Sequence, residues 1–163
     1  MRTKDIVEIA LMAAVLFVLS LIKIPLGPVP ISLQTLGVMI AGTVLGSKKG
    51  GLATLIYCLT LFSRVTGPTG GFIVSFPIAA FLIGLMLEKT NHKVNTIFIA
   101  NTLFGVLLVY ALGLPWFMHV TELSLNKSLT LAVFPFIPGD MVKVILTTIV
   151  SPRLISELKK INS

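Results

Sequence analysis

The sequence predicts an all-α integral membrane protein: a bundle of six transmembrane helices, built as a single domain over residues 1–163. Three observations carry that expectation. Hydrophobic residues make up 55% of the chain and charged residues only 12%, against roughly 25% charged in a soluble domain. The apolar residues fall into long runs separated by proline, glycine and lysine clusters. The basic residues also alternate between the two sides of those runs. Arg2, Lys4, Lys48, Lys49, Lys89, Lys93, Arg153, Lys159 and Lys160 fall on one side, and Lys23, Arg64 and Lys127 on the other. The positive-inside rule then puts both termini in the cytoplasm, which requires an even number of spans. The net charge of +7 is accounted for by this topology and does not mark a nucleic-acid patch.

The spans follow in order. The first, 5–22, is continuous, apolar and flanked by MRTKD and Lys23. No small-residue cleavage site precedes Lys23, so it reads as a retained span and not a secretory leader. Ala10 and Ala14, with Ala13 between them, form a small-xxx-small face suited to close helix approach, either within this chain or to a partner. Pro25, Pro28 and Pro30 in IPLGPVPIS then stop the helix and predict a structured outer loop. The second and third spans, 32–45 and 51–63, are short and joined by the tight turn GSKKGG. At 1.5 Å of rise per residue, neither crosses a hydrocarbon core of about 30 Å unaided.

The segment SRVTGPTGG follows, and its glycines let backbone approach a ligand or another helix. The fourth span is 71–88 and the fifth is 94–114, ending at Pro115. After it comes an outer segment with Trp116, His119, Glu122 and Lys127, in which Trp116 reads as an interfacial anchor or a binding-site wall. A short helix over 126–134 precedes the sixth span, 139–158, which ends in the basic ELKK tail. The lone Cys58 permits no disulfide framework.

The most informative segment is PFIPGDMVK, which sets Asp140 and Lys143 into apolar sequence. An ionisable pair at membrane depth is costly, so it normally faces a cavity or a partner and marks function. A spacing of three places both side chains on one helix face. The competing reading is a self-satisfied ion pair that only fixes helix packing. On the predicted topology this pair, the proline loop and the GPTGG loop meet at the outer face. Irregular backbone at membrane depth needs protein or a water-filled cavity to receive it, so a pocket open to the outside is expected there.

Enzyme signatures are scarce. His92 and His119 have no metal-binding spacing, and there is no GxSxG, no Walker motif and no paired catalytic carboxylate. ATP hydrolysis by the Walker route is therefore excluded, and active transport would need another subunit or an ion gradient. The candidate pocket residues suit a small neutral or anionic ligand. A carboxylate at Asp140 accepts from urea or amide N–H groups, while Lys143 or Arg64 neutralises a ligand carboxylate. Gln34, with Thr35, opens the second span and offers polar contacts or helix capping. Thr69 and Gly70 come from the GPTGG loop, and Tyr110, Trp116 and Tyr57 are candidate aromatic walls.

The segments KDIVEIALMAA, IPLGPVPISLQTLGVMIAGTVLGSKKG, GPTGGF, AAFLIGL and FPFIPGDMVK, in that order, resemble the BioY family, the biotin-specific substrate-binding (S) components of energy-coupling-factor (ECF) transporters. The resemblance spans nearly the whole chain, and VPISLQTL, GPTGG and PGDxxK are specific in combination. It implies a six-helix bundle in the cell membrane with a vitamin pocket near the outer face. It implies that Asp140 and Lys143 help to hold biotin. It also implies that Ala10 and Ala14 dock onto a transmembrane coupling subunit carrying two ATP-binding-cassette ATPases, the only users of ATP. No cofactor is expected. In the family the substrate subunit topples in the membrane to deliver the vitamin inside. One departure is visible. Relatives carry a longer, glycine-rich loop between the third span and GPTGG, whereas here Phe62 to Thr66 lead directly into Gly67. That loop helps to close the site in relatives, and Arg64 is the candidate replacement for a polar group that the longer loop would supply. The reading is biotin binding from outside and biotin import. The alternatives are another small vitamin or precursor, a remnant without binding because the loop is short, or an intramembrane enzyme using Asp140 and Lys143 as acid and base.

Overall fold

The structure is a computed structural model and describes residues 2–25, 27–90 and 92–162. About 82% of the described residues are helical, so the all-α expectation holds. The strand pairing among the described residues is a minimal antiparallel ribbon, β1 (Lys23–Ile24) with β2 (Ile31–Ser32). It closes the proline-rich loop into a hairpin.

Helix α1 (Thr3–Leu21) covers the segment expected as the first span. Helix α2 (Gln34–Thr60) covers the segments expected as the second and third spans, interrupted only at Gly46, whose φ of 80° and ψ of −174° are non-helical. The chain folds back on itself there. A Cβ placed on Gly50 would lie 2.5 Å from the Ala41 carbonyl oxygen, a contact impossible along a straight helix. The expected tight turn is therefore present, but only Gly46 leaves the helix, and Ser47 to Gly51 already belong to the returning arm. A left-handed φ suits glycine because no Cβ opposes it. Glu88, from the end of α3 (Gly70–Glu88), secures the corner. Its carboxylate accepts from the Ser47 backbone N–H at 2.7 Å and from the Ser47 hydroxyl at 2.8 and 2.9 Å. The backbone bond satisfies one of the orphan N–H groups at the start of the returning arm. Lys49 bridges from this corner to Asp5, at 3.6 Å, and to Glu8 on α1.

The fifth span is α4 (Val94–Ala100), a π-helical segment (Asn101–Leu107) and α5 (Leu108–Thr121) in unbroken succession. It does not stop at Pro115, as expected from sequence, but runs on to Thr121. Pro115 is exposed, so its ring and its missing N–H fall outside the packed core. Fully buried Phe117 holds the following turn in the core. Glu122 ends the helix at φ 55°. The short α6 (Leu125–Ala132) matches the extra helix expected there, and α7 (Ile137–Asn162) begins earlier than expected, with Pro138 in its first turn.

By length and composition, Gly70–Glu88 and Val94–Thr121 each suffice to cross a membrane, and α6 with α7, bent by 48° at their break, make a third candidate. The first span carries Lys4, Asp5 and Glu8 in its opening turns. The arms of α2 rise only about 20 Å each, short of a hydrocarbon core of about 30 Å. The surface is that of a membrane protein, since Leu11, Leu59, Val74 and Ile149 all stand exposed. Polar groups turn inward instead. Asn101, fully buried, donates to Thr43 Oγ1 at 3.0 Å and to the Ile97 carbonyl at 2.8 Å, joining α2 to the fifth span.

Candidate functional site

Two irregular elements and the start of a helix meet at one end of the bundle. The β1–β2 hairpin contributes Val29, Pro30 and Ser32, the connection from α2 to α3 contributes Arg64 and Thr69, and the start of α7 contributes Asp140 and Lys143. Between them lies a narrow cavity of about 80 Å³. Most of its wall is apolar, with Phe72, Ile73 and Phe76 from α3, Val109 from α5, and Ala132 and Phe136 from the bend between α6 and α7. Such a wall suits the apolar body of a ligand, and the few polar groups fix its orientation.

Asp140 and Lys143 sit in the first two turns of α7, only 5% and 6% exposed. The helix start orients them. The Asp140 N–H donates to the Phe136 carbonyl at 2.8 Å, and the spacing of three brings Lys143 Nζ to 2.8 Å from Asp140 Oδ1. Two other helices complete the cluster. Thr35, at the start of α2, accepts from Lys143 Nζ at 2.8 Å and donates to Asp140 Oδ1 at 3.3 Å. Tyr110, on α5, donates its hydroxyl to Asp140 Oδ2. The paired charges offset the cost that each would carry alone in so buried a place.

Of the residues singled out in the sequence, Asp140, Lys143, Arg64, Thr69, Gln34 and Tyr110 all line this cavity. Arg64 is exposed at its mouth. Gly70 and Trp116 lie outside it, in a separate apolar groove with Gly71, Val74 and Leu112. Trp116 Nε1 donates to the Gly67 carbonyl at 2.9 Å, so this indole anchors the GPTGG segment. Gly70 packs so tightly against Val65 and Trp116 that a side chain there would collide with both. Tyr57 is fully buried in the apolar core and away from the cavity wall. The short connection after α2 is ordered as a run of tight turns, with Arg64, Val65, Gly67 and Gly70 N–H groups each donating to a carbonyl three residues earlier. On α1, Ala13 turns inward, while Ala10 and Ala14 are exposed.

Sequence reasoning did not find the apolar wall. Phe72, Phe76, Val109 and Phe136 are indistinguishable by type from lipid-facing neighbours such as Val74 and Phe134. Helical phase relative to Asp140 is the one signal that could have picked them out, and it requires the packing to be known.

Residues 1–160 match the BioY family. A probable biotin transporter BioY of Pyrococcus horikoshii is 35% identical over 167 residues, covering 94% of this chain and 98% of that protein. The biotin transporter BioY of Rhizobium etli is 35% identical over 172 residues, covering 91% of each. Among solved structures, the fold matches the S-component for biotin from an ECF-type ABC transporter, known from a crystal structure at 2.1 Å, with a TM-score of 0.86, 33% identity and 94% of each chain covered.

Proposed function

The chain belongs to the BioY family, and from that premise we propose that it is the biotin-binding S component of an ECF transporter and takes part in biotin import. The observation that carries this reading is the buried Asp140–Lys143 pair set into an otherwise apolar cavity. An ionised carboxylate can only accept, so Asp140 suits the N–H groups of a cyclic urea. An ammonium can only donate, so Lys143 suits a carbonyl or carboxylate oxygen. The apolar wall takes the bicyclic body and aliphatic chain, and Arg64 at the mouth is positioned to meet charge near the entrance. Thr69 and Gln34 complete the polar lining.

The chain acts as a transport subunit, and ATP is used by its partners. Residues 1–163 serve as one domain in the cell membrane, with both termini in the cytoplasm and the cavity facing outward. The exposed Ala10 and Ala14 offer a flat strip on α1 to the transmembrane coupling subunit, which in turn carries two ATP-binding-cassette ATPases. The ordered turns between α2 and α3 support a site that closes without the longer loop of relatives. Gly70 and Trp116 act on this site through the packing of that connection.

Calorimetric titration of the detergent-solubilised, biotin-free protein tests the reading, with desthiobiotin, thiamine and riboflavin as competitors. One-to-one binding that biotin and desthiobiotin compete for is expected. Folded protein that ignores biotin but takes up another of these vitamins would overturn the choice of ligand.

A further inference from the structure

The hydrogen-bond valences around Asp140 assign two side chains a part distinct from touching a ligand. Tyr110 has a single proton, which it donates to Asp140 Oδ2. Thr35 also has one, and because its oxygen accepts from Lys143 at 2.8 Å, that proton goes to Asp140 Oδ1 at 3.3 Å. Neither hydroxyl has a donor left for a ligand. Lys143, with three N–H bonds, uses two on Asp140 and Thr35. Asp140 has room for about four acceptor contacts and receives three, from Lys143, Thr35 and Tyr110. Among the described residues, one ammonium N–H and one carboxylate lone pair therefore remain open, on two of the groups that line the cavity.

These contacts join three separate elements. Thr35 belongs to the first turn of α2, Tyr110 to α5, and the charged pair to α7. We propose that Thr35 and Tyr110 are positioning residues: they fix the rotamer of Asp140 and the direction of the Lys143 ammonium, and so set which donor and which acceptor the pair presents to a ligand. Tyr110 lines the cavity as well, but its hydroxyl acts through Asp140. This rests on the binding role proposed above for Asp140 and Lys143, but its geometric core is testable without any ligand. An unanchored carboxylate could turn either oxygen toward Lys143. Anchored from both sides, it keeps Oδ2 on the tyrosine and Oδ1 on the lysine.

The chain contains only two tyrosines, so in a Tyr57→Phe background Tyr110 alone reports in ultraviolet resonance Raman spectra. The bands of a phenol donating to a carboxylate are expected, and Asp140→Asn should shift them toward those of a neutral acceptor. Unchanged bands would overturn the anchoring, whether or not the protein binds biotin. The second arm measures biotin affinity by calorimetry. Thr35→Val and Tyr110→Phe are each expected to weaken binding roughly tenfold, the scale of one hydrogen bond to a charged group. Thr35→Ser should recover most of that loss. In an Asp140→Asn background Tyr110→Phe should cost nothing further, because the group through which it acts has gone, and Thr35→Val should cost less than in the wild type, since only its bond from Lys143 remains. Losses that simply multiply in the double variants would mean that Thr35 or Tyr110 contacts the ligand directly, which overturns the proposal. A wild-type protein that ignores biotin while the Raman shift appears as expected would remove the choice of ligand and leave the anchoring standing.

Discussion

Replacing Lys143 by methionine preserves the length of the side chain and removes its charge, leaving Asp140 ionised in a place only 5% exposed. At the 2.8 Å separation of the pair and an effective dielectric near 20, the forfeited attraction is about 6 kcal/mol. Part of it is offset, since Asp140 keeps its bonds from Tyr110 and Thr35 and the desolvation of the ammonium is no longer incurred. A net destabilisation of about 3 kcal/mol is expected, the lower end of the range for breaking a buried pair. Asp140→Asn should cost a similar amount by stranding the lysine. The double variant, Asp140→Asn with Lys143→Met, carries no charge in the site and should return to within about 1 kcal/mol of the wild type. Thermal unfolding in detergent, followed through the fluorescence of the single tryptophan, would read each single change as a midpoint roughly 10 °C lower. The double variant should melt close to the wild type yet fail to bind biotin, which separates the role of the pair in stability from its role in recognition. If the double variant melts as low as the two single decrements added together, the two charges do not compensate one another and the electrostatic argument is wrong.

Three further outcomes are expected. Glu88→Ala removes the acceptor for the Ser47 N–H and hydroxyl and should cost about 1–2 kcal/mol, the scale of a missing helix cap. Glu88→Gln should recover part of this, and a thermal midpoint unmoved by Glu88→Ala would dismiss the cap. Gly46→Ala strains a φ of 80° and sets a Cβ only 2.6 Å from Glu88 Oε1. It should lower stability by about 1–3 kcal/mol and be partly relieved by pairing with Glu88→Ala, again by thermal unfolding. Ala14→Leu places bulk on the exposed strip of α1. It should leave biotin affinity within about twofold while abolishing co-purification with the coupling subunit, because close approach between membrane helices depends on small residues. Weakened affinity with retained assembly would reverse that assignment.

Much of the fold was legible because membrane insertion constrains composition so strongly. Apolar runs, prolines at 25, 28 and 30, and the GSKKGG turn located the helices and their breaks to within a few residues. Pro115 misled, because a proline signals a helix end only when the surrounding packing does not override it, and buried Phe117 does override it. The charged core of the site was equally legible. Asp140 and Lys143 are conspicuous in apolar sequence, and a spacing of three on a helix fixes their proximity locally. Gly70 from the GPTGG segment and Trp116 from a span end were expected at the cavity, but the rotation of α3 and α5 about their axes turns them into the neighbouring groove.

By itself, then, the sequence determined that this chain is a helical membrane protein with one polar pair worth explaining, since hydrophobicity and helical period are local properties carried by the residues themselves. The tertiary structure alone decided what surrounds that pair. Thr35 lies 105 positions from Asp140 in the chain and Tyr110 lies 30, and no local periodicity brings such residues together. Their proximity follows from how α7 packs against α2 and how both pack against the π-helical segment that leads into α5. The same packing decides which of many similar phenylalanines and valines line a cavity and which face lipid.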